Sequence, residues 1–214
     1  PRAQRLRISA PPTFARLVLV PALEDFSRSH PDIDIELVLS IPFLDNPAHS
    51  SAHADVAVRH GDPALLGGTV LMHDVLLPVA APTLLQRLGP LRQPADLQGA
   101  PLLRTPVEPW APWFRAAGLA WPEPELGPSL VDLGLVLEAA LGGQGVALAR
   151  PSLARRWLAD ASLVPLFALT AQPAQLYLQL PVAAGASSAA LAFSRWLAGV
   201  GQAAVAAGQA ALQR

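Results

Sequence analysis

Residues 6–26 read LRISAPPTFARLVLVPALEDF. An alternating strand, Arg5 to Ser9, runs into two prolines, a threonine and an aromatic, and an amphipathic helix follows at once. Its apolar residues Leu17, Leu19, Val20, Leu23 and Phe26 recur with helical spacing. Pro21 lies inside that pattern and predicts either a kink or a second turn start. A strand, a stiff corner and a helix make the first half of a strand–helix–strand unit. HPDIDIELVLS (residues 30–40) supplies the second strand, alternating Ile33, Ile35, Leu37 and Leu39.

Working outward, ADVAVRHG (residues 54–61) reads as a short buried strand, and residues 70–82 as an apolar extended run. Further helices are expected over Thr83 to Leu88, Trp110 to Ala117, Leu130 to Leu141 and Ser152 to Leu158. Strands are expected at Pro101 to Pro106, Val146 to Ala149, Leu163 to Phe167 and Gln175 to Pro181. A last helix, capped by Ser187 or Ser188, carries Leu191, Phe193, Trp196 and Leu197. Its Ala-rich tail, GQAAVAAGQAALQR, is expected to fray. Strands alternating with helices argue for α/β layers on mostly parallel sheets, which bind ligands beyond the carboxyl ends of their strands.

Composition narrows the function. The 214 residues are 52% hydrophobic, enough for one large or two small cores. All 15 cationic side chains are Arg and the net charge is −1, so this chain has no basic excess with which to grip a nucleic-acid backbone. The absence of Cys excludes thiol catalysis, disulfides and Cys-ligated metals, and fits a cytoplasmic location. No apolar run spans a bilayer. PRAQRLRIS carries no signal-peptide core and looks like a linker cut ahead of a strand.

Enzyme readings do badly. There is no GxSxG elbow and no P-loop, and Gly142, Gly143 and Gly145 follow a helix, so they form no dinucleotide fingerprint. His49 and His53 are spaced i, i+4 but lack the Glu or third His of a zinc site, and read as surface histidines. No catalytic residue, metal or cofactor is expected.

The segments LRISAPPTFARLVLVPALEDFSRSHPDIDIEL, ADVAVRHGD, LLPVAAPTLL, GPSLVDLGLVLEAALGGQGVALARPSLA, LVPLF and FSRWL occur in an order that covers nearly the whole chain. In these the chain resembles the C-terminal effector-binding domain of LysR-type transcriptional regulators, with the flavour of the glycine-cleavage activator and β-lactamase regulator branch. The resemblance implies two Rossmann-like subdomains joined by two crossover strands, a fold shared with type 2 periplasmic solute-binding proteins. Subdomain 1 would take residues 1–78 and 182–214, and subdomain 2 residues 79–181. A helix-turn-helix domain would precede Pro1, and DNA would be met only through it. A small effector, carboxylate or amino-acid-like, would lie between the subdomains, and the protein would self-associate to dimers or tetramers. Apolar helix faces near Phe14 to Phe26 give that last expectation loose support.

The resemblance also implies an effector-binding set. Pro12, Thr13 and Phe14 form the corner, with Thr13 where the family places a hydroxyl that meets the effector, or else a plain helix cap. Ser40 and Ile41, with Pro42, end the second strand. Arg59 and His60 end the third, and Arg59 could clamp a carboxylate or pair with Asp55 or Asp62. Thr105 and Trp110 flank a loop of the second half, where Trp110 could line the cleft or pack in the core. Val131, Asp132 and Leu133 precede the buried helix. Many relatives carry a Ser there, whereas here Asp132 is the polar side chain, either a cap or a partner for an amine. Tyr177 lies on the second crossover. Two rivals remain open at this point. A solute-binding protein of a transporter would use the same fold behind a signal peptide. An enzyme such as a dehydratase would need an acid and a base in the cleft.

Overall fold

The computed structural model describes residues 4–41 and 54–213. The chain divides into two compact units: unit 1 is Pro1–His73 with Gln175–Ala204, and unit 2 is Asp74–Ala174 with Val205–Arg214. His49, His53 and Pro42 lie outside the described residues.

Unit 1 begins with β1 (Gln4–Ala10), followed by a three-residue helix α1 (Pro12–Phe14). A π turn over Ala15–Leu19 leads into α2 (Val20–Ser29). The Val20 N–H reaches back to the Ala15 carbonyl, and Pro21 stands in the first turn of α2. Proline is tolerated there because a first-turn N–H needs no partner within the helix. Pro21 therefore starts a new helical segment, the second of the two sequence expectations, and the π turn joins the pieces. Beyond it come β2 (Ile33–Leu39), β3 (Val56–Gly61), α3 (Pro63–Leu66) and β4 (Thr69–Val70).

Unit 2 holds β5 (Leu77–Ala80), α4 (Pro82–Leu88), a 3₁₀ turn at Pro94–Gly99 and α5 (Ala111–Ala116). It continues with α6 (Leu133–Leu141), β6 (Ala147–Ala149), α7 (Pro151–Ala159) and β7 (Val164–Pro165). β8 (Leu176–Gln179) returns the chain to unit 1, and α8 (Ser188–Leu212) ends it.

The unit 1 sheet has the order β2-β1-β3-β8-β4. β1 runs parallel to both β2 and β3, while β8 is antiparallel to β3 and β4. The unit 2 sheet, β6-β5-β7, is antiparallel throughout, with isolated parallel bridges at Leu102–Val146 and Arg104–Ser129. The expectation of mostly parallel sheets is thus corrected to mixed sheets, because each crossing strand joins its sheet against the local direction. The expected strand over Pro101 to Pro106 reduces to those two bridges. The crossing strands also place the unit boundaries. β5 pairs only with unit 2 strands, so the chain changes unit at Asp74 and not after Pro78. β8 pairs with β3 and β4, so the return falls at Gln175 and not after Pro181.

The unit 1 core collects Leu6, Ile8, Phe14, Phe26, Val58, Leu178 and Phe193. Phe26 meets Phe193 edge-on at 5.0 Å, which fastens α2 to α8. Of the helix face from Phe14 to Phe26, Phe14, Leu17, Leu19 and Phe26 are spent on this core, while Val20 stays 51% exposed, so little of the face is left for self-association. In unit 2, Trp110, Trp113 and Phe114 anchor a cluster with Leu76, Leu84, Leu97 and Val146.

The C-terminal tail does not fray. α8 is continuous to Leu212, with the Ser187 hydroxyl accepting the Ala190 N–H at 3.1 Å as its cap. Two glycines let the tail press on backbone. A Cβ at Gly201 would stand 2.3 Å from the Leu71 carbonyl oxygen, and one at Gly208 would stand 2.4 Å from the Ser152 amide nitrogen. The Ala-rich composition that suggested fraying is the small-residue surface that permits this approach. Gly208→Ala should destabilise by about 1–3 kcal/mol, because overlap with fixed backbone outweighs the gain of about 1 kcal/mol in helix propensity. Gly199→Ala, with open space around it, should instead stabilise. Urea unfolding of both variants checks the opposite signs.

Candidate functional site

Because β1, β2 and β3 are parallel, their carboxyl ends Ala10, Leu39 and Gly61 share one edge of the unit 1 sheet. β8 runs the other way and brings its first residues to the same edge, with Tyr177 opposite His60 and Leu178 opposite Arg59. With Tyr177, eight of the sequence-named residues gather there. The corner Pro12, Thr13 and Phe14 follows β1, Ser40 and Ile41 follow β2, and Arg59 and His60 end β3.

Ring contacts tie this edge together. Tyr177 packs at 5.1 Å on Phe14 and at 4.6 Å on His60. Tyr177 and Phe14 are almost fully buried, while His60 is half-buried. Arg59 donates to the Ser9 hydroxyl at 3.1 Å and to the Val58 carbonyl at 3.0 Å. Asp62 caps α3 through the Ala64 N–H, and Asp55 accepts the Arg7 N–H. Ser40 is buried, and its backbone N–H donates to the Ala10 carbonyl at 2.9 Å, closing β2 against β1.

Thr13 is buried to 1% exposure. The cap position of α1 is Pro11, which offers no side-chain oxygen, so Thr13 stands inside the first turn and is not its N-cap. The plain-cap reading of Thr13 is thereby corrected.

The unit 2 residues behave differently. Trp110 is fully buried, its indole N–H donates to the Leu103 carbonyl at 2.8 Å, and its ring packs 5.5 Å from Phe114. Its ring is enclosed in the unit 2 core, the packing alternative that the sequence left open beside lining the cleft. Thr105 is buried too, and its hydroxyl accepts the Val107 N–H at 3.3 Å in a local turn. Asp132 caps α6, accepting the Leu135 N–H at 3.1 Å, which matches the plainer of its two sequence readings. Val131 is 45% exposed beside it, whereas Leu133 faces inward.

Sequence reasoning missed a buried polar cluster in unit 2. Arg150, the residue before α7, meets one Glu108 carboxylate oxygen through Nε at 2.6 Å and Nη2 at 2.5 Å. Both side chains are 1% exposed. Asp74 is buried beside them and accepts the N–H groups of Val75 and Ser152. Burial pushes the Asp74 carboxyl above its ordinary value, and hydrogen bonds from Ser152 and Val75 with the Arg150 charge only partly offset this. The neutral form therefore favours folding. Its contribution is complete below the ordinary carboxylate range and is lost as pH rises through the higher native-state value. Asp74→Asn should remove this stretch of falling stability, which begins at the ordinary carboxylate range and runs upward from it, from a plot of unfolding free energy against pH.

With this geometry in hand, comparison with known proteins is decisive. The sequence model described as the LysR substrate binding domain matches residues 1–202. The chain belongs to that family. It is 33% identical to the HTH-type transcriptional activator AmpR of Rhodobacter capsulatus over 91% of this chain and 66% of that protein. It is 35% identical to the Glycine cleavage system transcriptional activator of Escherichia coli K12, over 74% of this chain and 52% of that one. The solved effector domain of AmpR from Pseudomonas aeruginosa superposes with a TM-score of 0.78 at 32% identity, covering 95% of this chain and 97% of that domain. This LysR substrate binding domain spans about two thirds, or less, of the full length of these curated relatives. Its fold is the α/β, type 2 periplasmic-binding-protein-like arrangement that the resemblance implied.

Proposed function

We propose that this domain is the small-molecule sensor of a LysR-type transcriptional regulator and that its effector is recognised at the carboxyl edge of the unit 1 sheet. The single observation that carries the reading is the likeness to the AmpR effector domain over nearly the full length of both chains. The carboxyl-edge cluster supports it, because such edges are where α/β sheets present ligand-binding groups. Pro12, Thr13, Phe14, Ser40, Ile41, Arg59, His60 and Tyr177 are the residues assigned to recognition. The buried hydroxyl of Thr13 and the Arg59 guanidinium suit a carboxylate or amino-acid-like effector.

The mechanism is a population shift. An effector with unequal affinity for two arrangements of the domain biases the oligomer toward one of them, and a DNA-binding domain reads the result. Among the described residues no helix is long and apolar enough to cross a membrane. The transporter reading is not favoured, since the relatives are named as transcriptional regulators. The same names favour binding over catalysis. Translating the coding DNA upstream of Pro1 tests the proposal. A helix-turn-helix and a long linker helix are expected, and a signal peptide joined directly to β1 would overturn it.

A further inference from the structure

We propose that unit 2 carries a second binding site, a preformed cavity for a small, uncharged, planar apolar molecule. It shares no residue with the recognition set above. The cavity measures about 590 Å³, within the range of small-molecule pockets. Leu97, Leu103 and Phe114, all buried, form its floor, and Leu126, 87% exposed, stands at its mouth. Trp121 and Phe114 meet edge-to-face with centroids 5.3 Å apart and planes at 72°. Two aromatic walls close to a right angle make a corner that suits a flat ring.

The outer wall is the arc WPEPELGP, residues 121–128, and it is fastened at both ends. Near its start, the Glu123 carboxylate accepts the N–H groups of Trp110 and Ala111, each at 2.9 Å. At its end, the Arg104 guanidinium donates to the Gly127 carbonyl at 2.7 and 3.2 Å and to the Pro124 carbonyl at 3.3 Å. Pro122, Pro124 and Pro128 stiffen what lies between. A wall clamped in this way costs little ordering entropy when a ligand enters.

Charge selects the occupant. Glu125 is the one ionisable residue among those lining the cavity, and no Arg lines it, because Arg104 is turned to the carbonyls of the arc. An anion would meet repulsion and no cation, and a cation would lose its hydration to apolar walls. Gln98 and Gln144 are left to serve one or two neutral polar groups on the ligand.

The probe is N-phenyl-1-naphthylamine, a neutral aromatic dye that brightens in apolar surroundings, titrated into the 214-residue chain. One-site saturation is expected with a dissociation constant on the order of tens of micromolar. The anionic dye 8-anilinonaphthalene-1-sulfonate should bind about tenfold more weakly. Trp121→Ala, which removes a wall, and Leu126→Asp, which alters only the exposed lip, should each weaken the neutral dye about tenfold while leaving the far-ultraviolet dichroism unchanged. Absence of saturable binding would overturn the site, as would neutral-dye affinity that survives both variants. Equal or tighter binding of the anionic dye would overturn the charge selection.

Discussion

Glu108→Ala is expected to lower the unfolding free energy by about 3–5 kcal/mol, because it leaves the Arg150 cation buried without its carboxylate. A domain of ordinary stability holds about 5–15 kcal/mol in all, so a large part of the folded population is at risk. The geometry explains the size. Two guanidinium nitrogens converge on one oxygen of a carboxylate that is 1% exposed, so water cannot take over when the partner is removed. Removing both charges is a different experiment. Glu108→Leu combined with Arg150→Met should recover most of the loss, since a buried pair often does no better than apolar residues of similar volume. Denaturant unfolding of the single and double variants forms the cycle. A Glu108→Ala loss below about 1 kcal/mol would show the pair to be solvated and the account of this core to be wrong.

Trp110→Ala is the second large effect, expected at about 3–5 kcal/mol as for a fully buried aromatic. The indole fills the centre of the unit 2 cluster, in contact with Trp113 and Phe114, and its N–H is satisfied by the Leu103 carbonyl. Trp110→Phe keeps most of that volume and should cost less, leaving mainly the Leu103 carbonyl without its donor. Because Trp110 is enclosed, Trp110→Phe should leave effector affinity unchanged. A loss of affinity without a loss of stability would return Trp110 to the binding surface.

These two residues show where sequence reading reaches and where it stops. The strand–corner–helix entry was legible because alternation gives way to helical periodicity at two prolines, and both patterns are local. Asp132 as a cap was legible for the same reason, since Asp ahead of an apolar run is a helix start. Trp110 was not, because whether an indole lines a cavity or fills a core depends on which carbonyl its N–H reaches. The ionic cluster was invisible because Asp74, Glu108 and Arg150 are far apart along the chain and each alone looks like a surface charge. The tail was misread because Ala and Gly lack side chains to bury, so their closeness to backbone at Leu71 and Ser152 leaves no hydrophobic signature. The Pro-rich arc carries no periodicity at all. Its role emerges only from the Arg104 and Glu123 bonds that hold it.

The edge of the unit 1 sheet was legible residue by residue but not as an assembly. His60 and Tyr177 are distant in sequence and become direct partners only because β8 re-enters the sheet against β3. That partnership places Phe14, His60 and Tyr177 in one aromatic group beside the Thr13 corner. On the proposed reading, this edge recognises the effector.

The most direct measurement is a thermal-shift panel of small carboxylates and free amino acids, glycine included, on the wild-type chain and on Thr13→Val, followed by calorimetric titration of each compound that stabilises the wild type. Valine keeps the shape of threonine and removes only the hydroxyl. The account predicts at least one stabilising compound, and an affinity about 10- to 150-fold lower in Thr13→Val, as expected for losing a hydrogen bond to a charged group worth about 1.5–3 kcal/mol. A stabilising compound that binds Thr13→Val as tightly as the wild type, or a panel in which none of these compounds binds, would contradict it.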